Sequence, residues 1–114
     1  MYLQPESVDE TFRIIRDYSG NGSWVVFDYI YASILRKEGI YYGETEIEQT
    51  VSNADEQWQF GIEKGQIEQF LTKYEMQLAD HKDAKELEKT YFTDDDGNTV
   101  GRVNGTHCLV TAKR

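Results

Sequence analysis

The residues whose types and placement could do chemistry are few. Asp28 and Tyr29 close an apolar run, "WVVFDYI", from Trp24 to Ile30. In open α/β sheets ligands sit beyond the C-terminal ends of parallel strands, so a carboxylate there is placed to accept hydrogen bonds from a substrate. The alternative is a solvated acid where the strand runs into a loop. Trp58 and Phe60, beside Gly61 in "QWQFGIEKG", would line an aromatic pocket or simply pack. Asp94, Asp95 and Asp96 beside Gly97 invite a calcium loop, but the alternating oxygen ligands and the closing glutamate are missing, so the stretch reads as an exposed turn. His81 and the pair His107-Cys108 are of metal-ligating type, yet no second pair sits at zinc spacing. They read as two ordinary histidines and a core cysteine, with no metal site. No G-x-S-x-G, no phosphate-cradling glycine loop and no G-x-G-x-x-G occurs. Gly20-Asn21-Gly22 precedes a strand, so it cannot present a helix N-terminus to a phosphate.

The elements that must position these residues follow from periodicity. After Pro5, a favoured first helical residue, Val8, Phe12 and Ile15 recur at helical spacing, and Gly20-Asn21-Gly22 stops the helix near Ser19. Trp24 to Ile30 is near-continuously apolar, the pattern of a strand covered on both faces. Helix, glycine loop and strand together make half of a βαβ unit. Tyr31 to Arg36 starts a helix that Gly39 and Gly43 interrupt, and the acidic stretch that follows makes 31–57 an expected insertion or lid. Ile67, Phe70, Leu71 and Tyr74 mark a second amphipathic helix. Residues 76–82 alternate weakly, as a strand would, and Asp83 would cap a short helix carrying Ala84, Leu87 and Tyr91. Turn signals at Asp96-Gly97 and Asn104-Gly105 lead to a final alternating strand, His107 to Ala112. Cys108, Val110 and Ala112 point one way along it; His107, Leu109 and Thr111 point the other.

Composition bounds the function. The 114 residues suit a single domain, 1–114, and 39% apolar with 13% aromatic content is enough for a packed core. Twenty-one acids against twelve bases leave a net charge of −9, which works against nucleic-acid backbones and anionic membranes as partners. A lone cysteine excludes an internal disulfide and fits a reducing cytoplasm best. With neither a leader-like start nor an apolar run of bilayer length, the sequons at Asn21 and Asn104 read as turn chemistry.

The segment "MYLQPESVDETFRIIRDYSGNGSWVVFDYI" resembles the central part of the leucine carboxyl methyltransferase family, many of whose members are S-adenosylmethionine-dependent O-methyltransferases. Tyr2, Leu3 and Pro5, the Gly22-Ser23 turn and the Phe27-Asp28-Tyr29 strand end carry the resemblance. "EQWQFGIEKGQIEQFL" resembles that family's aromatic-Gly-Ile stretch and "GRVNGTHCLVTAKR" its closing hairpin, with Ile40 to Asp55 the weakest part. The resemblance implies the C-terminal half of a Rossmann-like class I methyltransferase: about three strands flanked by helices, the last inserted antiparallel between the other two. It implies that the cofactor's glycine loop and ribose acid lie on earlier strands, so that this chain alone binds S-adenosylmethionine weakly or not at all and is inactive. It places Tyr2, Asp28 and Tyr29 near the mouth of the site, covered by the loop of Trp58 and Phe60. The substrate would be a small molecule or a protein bearing a carboxylate or a hydroxyl; no residue is singled out as catalytic. The alternative is a non-catalytic binding or assembly module derived from such an enzyme. In either case the first strand leaves a bare sheet edge, through which the chain is expected to form a homodimer.

Overall fold

The computed structural model describes residues 1–53 and 57–114. Its first helix, α1 (Pro5–Tyr18), starts with proline, carries Glu6 in the first turn and Arg16 in the last, and buries Val8 and Phe12. These choices suit the helix dipole and the 3.6-residue period. Ser19 breaks to extended backbone, and Gly22, at φ 88°, makes a turn that other residues adopt only with strain. β1 (Trp24–Ile30) follows, then a short helix α2 (Ala32–Leu35), α3 (Glu44–Asn53), α4 (Ile67–Lys73), β2 (Gln77–Lys82), α5 (Ala84–Tyr91) and β3 (His107–Lys113).

The three strands form one sheet in the order β1-β3-β2, with both ladders antiparallel. The fold is therefore α/β, a small antiparallel sheet flanked by helices, with the last strand between the other two. β1 runs in register from Trp24 opposite Lys113 to Ile30 opposite His107. The β2 ladder shifts register between Leu78 and Asp80. One face of the sheet carries Phe27, Tyr29, Cys108, Val110 and Ala112, and α1 and α4 pack on it. Phe12 meets Phe27 and Phe70 edge-to-face at 5.2 and 5.0 Å, and Tyr74 lies 5.2 Å from Phe12. Ile67, Leu71 and Tyr74 are buried, as is Cys108.

Two expectations need correction. β1 is not covered on both faces: Trp24 and Val26 are 59% and 64% exposed, because α1 and α4 both lie on the Phe27 side. β3 lies antiparallel between β1 and β2, the order that the resemblance implies. Residues 100–106 form no closing hairpin. Their polar groups are spent on anchoring instead: Gly105 N–H donates to Tyr42 O and Val103 N–H to a Glu88 carboxylate oxygen. The expected helix after Asp83 forms as α5, which buries none of its side chains and leaves Tyr91 exposed. That helix is held by its cap, Asp83 accepting from Glu86 N–H at 2.9 Å, and by Glu88. Within the expected insertion or lid, Tyr31, Ser33, Ile34 and Glu44 are buried, and the Tyr31 ring stacks on Tyr41 at 4.7 Å; residues 54–56 lie outside the described part.

Candidate functional site

Alternation along β1 decides what its C-terminal end presents. Asp28 stands opposite Leu109, and Ile30 opposite His107, so Asp28 and His107 share the face away from α1. Tyr29 points to the opposite, helix-covered face. It is 3% exposed and its hydroxyl bonds His81 Nε2 at 2.8 Å. Burial, with Cys108 beside it, pushes the Tyr29 hydroxyl well above the ordinary tyrosine range, so it stays protonated as a structural donor or acceptor. The sequence neighbours Asp28 and Tyr29 thus reach two environments from adjacent positions.

The remaining expected residues come from the 58–62 loop and the N-terminal segment. Gln59 and Phe60 N–H groups both donate to Met1 O, at 2.7 and 3.2 Å, and Gln59 Nε2 donates to Tyr2 O. These bonds lay residues 1–3 along the loop and bring Tyr2 edge-on to Trp58, with ring centroids 6.4 Å apart. The loop itself is joined to the end of β1: Ile62 N–H donates to Ile30 O and Ala32 N–H to Ile62 O, each at 3.0 Å. Phe60 turns inward, its ring 5.9 Å from Phe70. Asp28, Tyr29 and Phe60 border a cavity of about 130 Å³ that Met1, Leu3 and Phe12 also line. Tyr2 and Trp58 lie outside that lining, on the side of His107.

His107, read in the sequence as an ordinary histidine, belongs to this region. Its ring meets Trp58 edge-to-face at 5.3 Å, and its Nδ1 lies 2.7 Å from Thr106 Oγ1. Thr106 is fully buried, and both its N–H and its hydroxyl reach Asn104 Oδ1. Burial holds the His107 pKa below the usual histidine value, the nearby Asp28 carboxylate opposing the shift only in part. The signal for this cluster was present in "NGTH": an Asx-turn asparagine, then a hydroxyl directly before an imidazole. Nothing in strand periodicity says that Trp58 comes to rest on that imidazole. Cys108 faces the opposite side, fully buried, and burial raises its thiol, so it is a packing group. Trp58 Nε1 is buried with no hydrogen-bond partner among the described residues.

A second concavity of about 300 Å³ opens beyond Tyr31, between Tyr41, Lys64, Lys85 and Arg102, whose guanidinium covers the Tyr42 ring at 3.7 Å. Among the described residues no group of three His, Cys, Asp or Glu side chains could hold a metal ion, and no helix is long and apolar enough to cross a membrane. Comparison with family models, curated proteins and solved structures finds no match to this chain.

Proposed function

We propose that this chain is the acceptor-side part of an S-adenosylmethionine-dependent O-methyltransferase, of Rossmann-like class I architecture and cytoplasmic, and inactive by itself. The observation that carries the reading is the closing strand β3, antiparallel between β1 and β2, with Tyr2, Asp28, Trp58 and Phe60 gathered at the C-terminal end of β1. That is the position the family resemblance implies, and the end at which α/β sheets take ligands.

The residues present do not fit the whole cofactor. The cavity beside Asp28, about 130 Å³, is smaller than the roughly 300–1,000 Å³ that encloses a ligand of that size. No glycine-rich loop offers backbone N–H groups to it. Asp28, Tyr2 and Trp58 would border the methyl acceptor, and the acceptor would be a carboxylate or a hydroxyl compound.

The test is a ¹H–¹⁵N titration of the full chain with S-adenosylhomocysteine to millimolar concentration. Weak, fast-exchange shifts confined to Tyr2, Asp28, Trp58, Phe60 and their neighbours are expected. Tight, saturable binding, or shifts confined to another part of the chain, removes the reading, whereas an unmoved spectrum agrees with a chain that binds the cofactor weakly or not at all. A second reading, a non-catalytic assembly module, draws on the exposed Trp24 and Val26 and on the outer edge of β1, which among the described residues is bridged only at its C-terminal end by Ile62.

A further inference from the structure

We propose that His107 Nε2 is the hydrogen-bond acceptor for a hydroxyl-bearing ligand at the C-terminal end of β1, so that the substrate taken there is an alcohol or phenol and not a carboxylate. The inference rests on the acceptor-site reading above and narrows its substrate class.

A backbone N–H can only donate. Thr106 N–H donates to the Asn104 side chain at 2.9 Å, so the Asn104 atom at that point is the oxygen. The amide nitrogen of Asn104 then faces Gly43 O, at 3.4 Å, as it should. The Thr106 hydroxyl reaches the same Oδ1, which has no proton to give, so the single hydroxyl proton of Thr106 is spent there. What Thr106 Oγ1 offers to His107 is a lone pair. Nδ1, 2.7 Å away, must supply the hydrogen. The neutral imidazole is therefore locked as the Nδ1–H tautomer, and Nε2 carries a lone pair with no partner among the described residues.

Burial keeps the ring neutral at physiological pH. The charged groups that face it are Asp28 on β1 and the α-amino group of the N-terminal segment, while the Trp58 loop contributes only an indole edge. A carboxylate brought to Nε2 would meet a lone pair beside the Asp28 negative charge, with no proton to bridge them. A hydroxyl brings its own donor. The aromatic edges of Tyr2 and Trp58 alongside suit a phenol.

The test uses the labelled full chain and two probes, phenol and benzoate. Long-range ¹H–¹⁵N spectra at neutral pH should show His107 protonated at Nδ1 alone; an Nε2–H tautomer overturns the proposal. Phenol should then shift the His107 ring and the Trp58 indole, and benzoate should leave them in place until the pH falls through the His107 titration. His107→Gln should lose the phenol response while distant amides keep their positions. A benzoate response at neutral pH equal to that of phenol overturns the inference. Silence to both probes while S-adenosylhomocysteine still shifts Tyr2, Asp28, Trp58 and Phe60 overturns it alone. Silence to all three ligands likewise overturns it alone; the parent reading falls only if S-adenosylhomocysteine binds tightly or shifts another part of the chain.

Discussion

Phe12 is the residue on which most of the core converges. Its ring touches Phe27 from β1, Phe70 from α4 and Tyr74 just after it, so truncation opens a void between three elements. Phe12→Ala should cost about 3–5 kcal/mol, measured as a fall in the urea midpoint with an unchanged slope. This position was legible in the sequence because Val8, Phe12 and Ile15 repeat at the period of a helix. His107 was not, because its importance comes from neighbours distant in the chain. Its linkage to stability has a definite sign. The folded pKa lies below the ordinary value, so as pH falls the unfolded chain binds the proton first. The stability associated with neutral His107 is complete above about 6.5 and is lost as pH drops from there through the folded pKa. Denaturation at neutral pH and at about pH 5 should show a larger loss for the wild type than for His107→Gln. Equal losses would mean that burial does not perturb this ring.

At the scale of elements, the amphipathic helices α1 and α4 and the strand β3 were readable from period alone, and α5 from its cap. The lid-like stretch was not, since the contacts of Tyr31 with Tyr41, and of Gly61 with Ala32, depend on how loops cross. Gly61 is the tightest of these crossings. A Cβ there would lie 2.9 Å from Ala32 Cα and 3.0 Å from Ile30 O, both backbone atoms that cannot swing aside. Gly61→Ala should destabilise by about 1–3 kcal/mol and pull the 58–62 loop from the end of β1. Faster amide exchange at Ile62 and Ala32 would report that release, and unchanged exchange would count against the crossing. For α5 the cap is the main hold. Asp83→Ala should cost about 1 kcal/mol, read by thermal unfolding, and a neutral result would assign the helix to its Glu88 contact instead.

For the whole molecule the open side of the sheet is the feature with the largest consequence. Trp24 and Val26 are exposed on it, and among the described residues the outer edge of β1 is bridged only at its C-terminal end, where Ile62 N–H donates to Ile30 O. Apolar surface next to an unpaired edge favours strand addition, so the chain should sediment as a concentration-dependent dimer. Val26→Lys should weaken that association about tenfold or more, roughly 1.4 kcal/mol; a wild type that stays monomeric at high concentration removes the idea. Local sequence determined where α1, α4, α5 and the strands lie, because hydrophobic period, Pro5, Asp83 and the glycine turns act within a few residues, but the weakly patterned acidic stretch gave no sign of α3. It also determined the acidic surface, since charge is additive. Only the tertiary structure decided that one face of β1 is bare and that Asn104, Thr106, His107, Trp58 and Asp28 meet; β3 between β1 and β2 is the order that the resemblance implied. Strand pairing and loop crossing depend on contacts between segments tens of residues apart, whose loop-closure cost and packing gain no local pattern records.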